Sequence, residues 1–229
     1  MSDNRIIKRI SLDELTDVND FYKRLSGVNP SDVDPKYGTA VEDARRAVAE
    51  QCNIAMVYER IAITEHYDDR IVLENGISFT GKMPALVTKD SSELFAFVVV
   101  LEGYTAFSSD DIMVEYFADT WGSAYVECAQ AYLASEISNR LANENMMRTH
   151  LWCPGQHSFE LKNQQPIFEL LKPEDIGCTL SKRFMMIPVK ACSGIMGIVP
   201  AGTTDLPKPC DYCQFGKTCP ASQRGCAAL

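Results

Sequence analysis

The chain has 229 residues, of which 46% are hydrophobic and 23% charged, and it carries a formal net charge of -9. This length is enough to bury a proper core, and it favours one domain or one domain with a small appendage. The acidic balance argues against binding to a phosphate backbone, which requires a lysine- and arginine-rich surface. We therefore expect no nucleic acid among the partners.

No segment of the sequence predicts a membrane span. The longest strongly apolar run, Phe95 to Leu101, is far too short to cross a bilayer, and the first residues lack the apolar stretch of a signal peptide. We expect a cytoplasmic protein with no membrane partner. Nine cysteines in such a reducing compartment favour metal or redox use over a disulfide framework.

The N-terminal region predicts two helices. Ser11 and Glu14 form a capping box, which indicates a helix over residues 12–25. Thr39 and Glu42 form a second capping box ahead of another segment with one apolar stripe. Both are scaffold signals and carry no chemistry of their own.

The next part of the chain predicts strands. Residues 54–63 are rich in Ile, Val, Met and Tyr and indicate a largely buried strand. Asn75-Gly76 separates two short apolar segments and is a strong hairpin signal, because a type I′ turn needs positive φ at both central residues. Residues 95–101, with the sequence FAFVVVL, predict a central strand.

A long helix is predicted over residues 108–141. Ser108 and Ser109 are candidate caps, and a bend or restart is expected near Gly122. Apolar residues at spacings of three and four cover most of the circumference, which indicates a helix buried on most sides. The remaining narrow face carries Asp119, Ser123, Glu127 and Gln130.

Residues 151–199 contain the densest set of turn and strand signals. Pro154-Gly155 indicates a rigid turn that can hold backbone groups against a ligand. A helix is predicted over residues 164–171, ending before Pro173. Three short strands follow at 176–180, 185–189 and 190–199. Together the elements predict an α+β fold with a mixed or antiparallel sheet covered by helices.

The chain ends in a cysteine-rich tail that follows a proline- and glycine-containing linker. Its candidate metal ligands are Cys210, Cys213, Cys219 and Cys226. Two thiolates separated by two residues can bind one metal, and the metal would order a segment that has no apolar core. Four cysteines suit an iron-sulfur cluster as well as zinc, and a disordered or disulfide-bearing tail is the third alternative.

We divide the chain accordingly into two parts. Residues 1–200 are predicted to form one α+β domain, with N-terminal helices in residues 1–53 and the core in residues 54–200. Residues 201–229 are predicted to form the metal-binding tail.

Two stretches of the chain match one protein family in the order and spacing of their residues. The matching positions are Asp119, Gly122, Ser123 and Glu127 in the long helix, and then Cys153, Pro154, Gly155, Gln165, Ile167, Phe168, Leu170, Leu171, Ile176, Gly177, Leu180, Met186, Pro188, Lys190, Ser193 and Gly194. Over roughly residues 90–200 the chain resembles the activation domain of cobalamin-dependent methionine synthase and its free-standing relatives in corrinoid methyltransferase systems.

The resemblance implies a binding site for S-adenosylmethionine beside the Pro-Gly turn. Carried over position by position, its cofactor-binding residues are Asp119, Glu127, Cys153, Pro154, Gly155, Gln156, Lys190 and Ser193. The family has an arginine four residues before the glycine of the turn and a tyrosine directly after it. In this chain those two positions are Leu151 and Gln156.

The resemblance also implies a function. Family members help to reactivate a cobalamin-dependent methyltransferase or corrinoid protein: an electron reduces the cobalt of the partner's cobalamin, and the methyl group of S-adenosylmethionine traps the reduced state. In that context the tail would deliver the electron, which favours an iron-sulfur cluster there. The leading alternative is a non-catalytic module that docks a corrinoid protein and holds a structural zinc in its tail. A third alternative is an unrelated small-molecule enzyme on the same fold.

Overall fold

The computed structural model describes residues 4–105, 112–156, 158–214 and 218. Nine strands are present in these residues: β1 (Arg5–Ile10), β2 (Asn53–Tyr67), β3 (Arg70–Leu73), β4 (Ser78–Thr80), β5 (Glu93–Glu102), β6 (Met146–Arg148), β7 (Thr179–Leu180), β8 (Met186–Ile187) and β9 (Ala191–Pro200). Seven form one sheet in the order β4-β3-β2-β5-β9-β6, with β1 paired to β2, and β7 and β8 form a separate hairpin. Every pairing is antiparallel, so the predicted α+β class is confirmed in its antiparallel form.

Helices cover both faces of the sheet. The described helices are α1 (Val18–Ser26), α2 (Pro35–Gln51), α3 (Lys82–Val87), α4 (Ile112–Ala142) and α5 (Gln164–Leu171). The apolar sides of α1, α2 and α4 pack in one core, and those of α3 and α5 pack in a second core on the opposite face. The sheet is therefore the middle of three layers.

Strand β5 shows why its sequence is continuously apolar. Its side chains alternate between the two cores: Phe95, Phe97, Val99 and Leu101 face α1, α2 and α4, whereas Leu94, Ala96, Val98 and Val100 face α3 and α5. A strand that is covered on both faces has no polar side, so the alternation typical of a half-buried strand is lost. The prediction of a central strand here is confirmed.

The N-terminal helix boundaries differ from the prediction. The Ser11 capping box exists, with its two hydrogen bonds, but it caps a single 3-10 turn over Leu12–Glu14, and α1 begins only at Val18. The capping box assigned to Thr39 is wrong, because α2 already begins at Pro35. Proline is favoured in the first turn of a helix, and this signal was the stronger one.

Strand β1 was not predicted. It pairs with residues 54–59 of β2, more than forty positions further along the chain. Its sequence, RIIKRI, is rich in basic residues, as is typical of an edge strand. The N-terminal segment thus adds a strand to the sheet as well as helices.

The Asn75-Gly76 hairpin is confirmed, but its turn type is not the predicted one. Only Gly76 has positive φ, at 83°, and its amide donates to the carbonyl of Leu73 at 2.8 Å. The turn is therefore centred on Glu74 and Asn75, with Gly76 following in the left-handed region. A longer loop of this kind tolerates an ordinary φ at asparagine.

The two predicted helices that bear on the site are confirmed. Helix α4 runs for 31 residues without the restart expected at Gly122, and α5 covers Gln164–Leu171 and ends before Pro173, as predicted. The caps proposed at Ser108 and Ser109 lie outside the described residues. In the described part of the chain, no helix combines the length and the apolar character that a membrane span requires.

Candidate functional site

The polar face of α4 forms a line of side chains that we call the α4 stripe: Asp119, Ser123 and Glu127. These residues are four positions apart and therefore lie on the same side of the helix. Each has a basic or hydrogen-bonding partner from a distant segment. Lys190 Nζ lies 2.7 Å from Asp119 Oδ1 and 2.9 Å from Ser123 Oγ, and Arg24 of α1 forms an ion pair with Glu127.

Lys190 reaches the stripe because residue 122 has no side chain. A Cβ at Gly122 would stand 3.3 Å from Cγ and Cε of Lys190 and 2.9 Å from Cε2 of Tyr104. The lysine side chain is only 10% exposed, and its Nζ lies 5.7 Å from the centre of the Tyr104 ring. Burial, together with the charge of Asp119, raises the pKa of Tyr104 to about 12. Lys190 is thus held firmly, whereas Asp119 is 66% exposed.

The predicted Pro-Gly turn is present. The amide of Gln156 donates to the carbonyl of Cys153 at 3.2 Å, and Gly155 has a φ of 92°. Proline followed by a residue with positive φ defines a type II turn, so only glycine fits the third position without strain. Pro154 is buried, while Gly155 and Gln156 are exposed. The Gly155 amide donates to the carbonyl of Phe159 at 2.7 Å, so this amide is used within the loop and is not directed at a ligand.

Two thiols meet between the turn and β9. Cys153 Sγ lies 3.4 Å from Cys192 Sγ. Cys153 is buried, whereas Cys192 is half-buried. The hydrogen bond with Cys192 raises the pKa of Cys153 well above its usual value, and burial and the charge of Glu127 act in the same direction. Cys153 belongs to the core on the α4 side of the sheet, and Cys192 packs against that core, so the pair lies on the same side of the sheet as the α4 stripe.

Ser193 faces away from the other site residues. Its strand partner is Val98, which belongs to the core under α3 and α5, whereas Cys192 pairs with Val99 on the α4 side. The Ser193 side chain is 1% exposed, and its hydroxyl has no hydrogen-bond partner among the described residues. The structure therefore brings Lys190 to the stripe and turns Ser193 to the opposite face.

The position of the family's arginine is occupied by a core residue. Leu151 is buried in the α4-side core. Arg148 donates to the carbonyl of Ala134 at 3.1 Å and to Ser138 Oγ at 2.9 Å, and burial lowers its pKa. It is thus directed at the second half of α4 rather than at the turn. Among the described residues, the cations that contact the α4 stripe are Lys190 and Arg24.

Three residues at this site were not predicted as site residues: Arg24, Tyr104 and Cys192. Cys192 lies two residues after Lys190 and so shares its side of the strand. That spacing was a usable signal. Arg24 is 103 positions away from Glu127, and nothing in its own sequence neighbourhood indicates the contact.

The beginning of the cysteine tail packs against the same region from the other face. The ring of Tyr212 lies 5.8 Å from that of Trp152, the residue before Cys153, in an edge-to-face arrangement. Cys210 and Cys213 stand at a single 3-10 turn, Pro209–Tyr212, and the predicted ligands Cys219 and Cys226 lie outside the described residues. Within the residues that the structure describes, no three His, Cys, Asp or Glu side chains are grouped to hold a metal ion.

An open groove of about 660 Å³ lies where the tail meets the domain. Basic and acidic side chains line it together, namely Lys89, Asp90, His150, Asp205, Lys208 and Asp211. The groove is separate from the α4 stripe, and none of the predicted site residues that the structure describes lines it.

Comparison with known proteins gives one informative result. No protein-family model matches the chain, and no curated protein matches it by sequence. The crystal structure of the MetH reactivation domain bound to AdoHcy does match, with a TM-score of 0.61 and 16% identity over 88% of this chain and 80% of that chain. The predicted resemblance to the methionine synthase activation domain is thus confirmed, and at this identity it establishes the fold.

Proposed function

We propose that this protein takes part in the reductive activation of a cobalamin-dependent methyltransferase or corrinoid protein. The observation that carries the proposal is a coincidence of fold and site. The chain shares its fold with a reactivation domain over 88% of its length. Asp119 and Glu127 of α4, with Lys190 beside Asp119, lie on the side of the sheet where Cys153 joins the core. The sequence resemblance implies a binding role for these same residues, whereas Ser193, for which it implies the same role, faces the opposite side of the sheet.

We assign S-adenosylmethionine to the α4 stripe. The sulfonium and amino groups of this molecule are positive, and the stripe offers two carboxylates, Asp119 at 66% and Glu127 at 33% exposure. The carboxylate of the ligand needs a cation, which Leu151 cannot supply. Lys190 and Arg24 lie beside the two acidic residues and supply positive charge in its place. When bound, S-adenosylmethionine contributes a transferable methyl group.

The ion pairs of the stripe do not block such a ligand. Exposed pairs contribute about 0–1 kcal/mol each, because solvent screens them and ordering long side chains costs entropy. Arg24 and Glu127 are both partly exposed, so a ligand can exchange places with either at small cost. Lys190 is more deeply held, so we expect it to keep its position and Asp119 to reorient.

We assign metal binding to the tail, residues 201–229, through Cys210, Cys213, Cys219 and Cys226. The spacing of the cysteines supports this assignment. The packing of Tyr212 against Trp152 adds that the tail begins beside the residue that precedes Cys153. An iron-sulfur cluster there would supply an electron to the corrinoid partner. Zinc would make the tail structural and the protein a docking module.

The first experiment tests the ligand with a matched pair of variants. Glu127 and Glu136 both lie on α4, and each forms an ion pair with a base from the N-terminal region, Arg24 and Lys8 respectively. We expect titration calorimetry to detect binding of S-adenosylmethionine and S-adenosylhomocysteine to the wild type. Glu127→Gln should weaken the binding of S-adenosylmethionine at least about tenfold, which corresponds to about 1.4 kcal/mol of binding free energy. Glu136→Gln should bind as the wild type does, and equal losses in both variants would argue against the stripe as the site.

The second experiment tests the tail and the activity together. Protein purified without oxygen is analysed for iron, sulfide and zinc, with Cys213→Ser for comparison. It is then mixed with a corrinoid protein in the cob(II)alamin state, S-adenosylmethionine and a reductant. Iron with sulfide, lost in the variant, and methylcobalamin formation that depends on the protein would support electron delivery. Stoichiometric zinc would favour the docking alternative, and no methylcobalamin with ligand bound would refute the activation role.

A further inference from the structure

We propose that Cys153 and Cys192 form a redox site, in which the two thiols are oxidised reversibly to a disulfide by a small-molecule or protein disulfide. This inference goes beyond the proposed function and does not depend on S-adenosylmethionine binding. It rests on the meeting of two thiols from segments 39 positions apart, one buried and one half-buried.

The backbone holds the two cysteines close together. Trp152 and Ile195 exchange two hydrogen bonds, of 3.0 Å and 2.9 Å, and so form an antiparallel bridge. In this register Cys153 lies opposite Gly194, and Cys192 is the next residue on the same side of the strand. A Cβ at Gly194 would stand 2.5 Å from the carbonyl oxygen of Trp152. The glycine therefore permits the close approach of the two segments.

The two thiols have different access, which defines the order of the reaction. Cys192 is half-buried and can meet a disulfide from solvent, whereas Cys153 is buried and the pKa of its thiol is raised. The Cys192 thiolate attacks one sulfur of the incoming disulfide, forming a mixed disulfide and releasing one thiolate. Cys153 then loses its proton to solvent and attacks the sulfur of Cys192, which releases the second thiolate. The protein loses two electrons and two protons, and the incoming disulfide becomes two thiols.

The remaining described thiols of the domain are poor competitors. Cys52, Cys128 and Cys178 are all buried, and burial raises their pKa values to about 11, 11 and 12. Because they are buried, none of the three can meet a disulfide from solvent as Cys192 does, so none can carry out the first step. These residues are therefore internal controls for the selectivity of oxidation.

Oxidation would act on the proposed ligand turn. The sulfurs of a disulfide are about 2.05 Å apart, so the 3.4 Å contact must shorten by about 1.4 Å. Cys192 is held by its pairing with Val99 in the central strand β5, whereas Cys153 leads into the exposed end of the turn at Gly155 and Gln156. The turn would therefore follow Cys153 towards β9. The redox state of the pair would thus set the position of the turn beside the α4 stripe.

The test uses the full-length folded protein and oxidised glutathione as the probe. After exposure, free thiols are alkylated, the protein is digested without reduction, and peptides are identified by mass spectrometry. We expect a peptide that links Cys153 to Cys192 and that disappears with dithiothreitol. Cys178→Ala should retain this link. Circular dichroism establishes that each variant is folded.

The two single variants distinguish the roles of the cysteines. Cys153→Ala cannot resolve the mixed disulfide, so Cys192 should accumulate a stable glutathione adduct. Cys192→Ala should leave Cys153 as a free thiol. The proposal is overturned if Cys192 stays free in the wild type, if it keeps glutathione there, or if it links to a tail cysteine instead. The affinity of the oxidised protein for S-adenosylmethionine is measured in a separate experiment. The disulfide result therefore stands whether or not the protein binds this ligand.

Discussion

Gly122 is the position where helix propensity and packing make opposite predictions. In the middle of a helix, alanine is more favourable than glycine by about 1 kcal/mol. At residue 122, however, the added carbon would stand 2.9 Å from the buried ring of Tyr104 and 3.3 Å from two carbons of Lys190. Adding a carbon to a packed site costs about 1–3 kcal/mol. Because the contact with Tyr104 is below 3.0 Å, we expect overpacking to dominate, and Gly122→Ala to lower the free energy of unfolding by about 1 kcal/mol.

Gly38 provides a matched control in another helix. It lies in α2, and a Cβ there would meet no atom within 4 Å. Gly38→Ala should therefore gain only the propensity effect and raise the free energy of unfolding by about 0.5–1 kcal/mol. Urea unfolding of both variants, with equal slopes, measures a difference of about 2 kcal/mol between them.

The comparison of the two glycine variants has a clear refuting outcome. If Gly122→Ala stabilises the protein as much as Gly38→Ala does, then Tyr104 and Lys190 do not pack across residue 122. Lys190 would then not contact the α4 stripe either, because the lysine side chain reaches Asp119 and Ser123 only by crossing Gly122.

Three further predictions concern stability. Tyr22→Phe removes a fully buried hydroxyl that finds no partner among the described residues, so the free energy of unfolding should stay unchanged or rise by up to about 1 kcal/mol. Tyr58→Phe removes a hydroxyl that donates to the Glu136 carboxylate at 3.0 Å, so it should lower the free energy of unfolding by about 1.5–3 kcal/mol. Urea unfolding measures both variants. Equal effects would contradict the assignment of these two hydroxyls. Arg60→Ala breaks ion pairs with Glu93 and Glu144 and should lower the free energy of unfolding by about 1–3 kcal/mol. Arg46→Ala breaks one exposed ion pair and should change it by less than about 0.5 kcal/mol. Thermal unfolding compares the two variants, and an unchanged midpoint for Arg60→Ala would show that its ion pairs do not stabilise the fold. Burial raises the pKa of Tyr22 and Tyr58 from 10.0 to about 12, so these tyrosines ionise in the unfolded state before they do in the folded state. The free energy of unfolding should therefore stay constant below about pH 10 and fall as the pH rises through about 12. A urea midpoint that does not change between about pH 10 and 12 would falsify this prediction.

Local signals determined several elements correctly. The apolar run FAFVVVL predicted a central strand, Asn75-Gly76 predicted a hairpin, and Pro173 correctly marked the end of α5. For the hairpin and the end of α5 the deciding interactions lie within a few residues of the pattern. The strand was recognisable for another reason: cover on both faces leaves it without a polar side. The α4 stripe belongs to the same class, because a spacing of four residues in a helix places side chains on one side whatever packs against it.

Signals that depend on competition or on distant partners were less informative. Thr39 forms a capping pattern, but Pro35 starts the helix one turn earlier, and the sequence does not rank one local signal against another. Strand β1 is too short and too basic to be recognised alone. It exists because β2 presents an open edge more than forty residues later.

The sequence by itself determined that Asp119, Ser123 and Glu127 share one side of α4 and that the chain resembles an activation domain. Gln130, predicted on the same face, is buried instead. Tertiary structure alone decided what those residues meet: Lys190 against Asp119, Arg24 against Glu127, Cys192 against Cys153. It also turned Ser193 away from its neighbours, although it lies only three positions after Lys190. The physical reason is that strand side chains alternate with a period of two, so the register between β5 and β9 decides which residues reach the site.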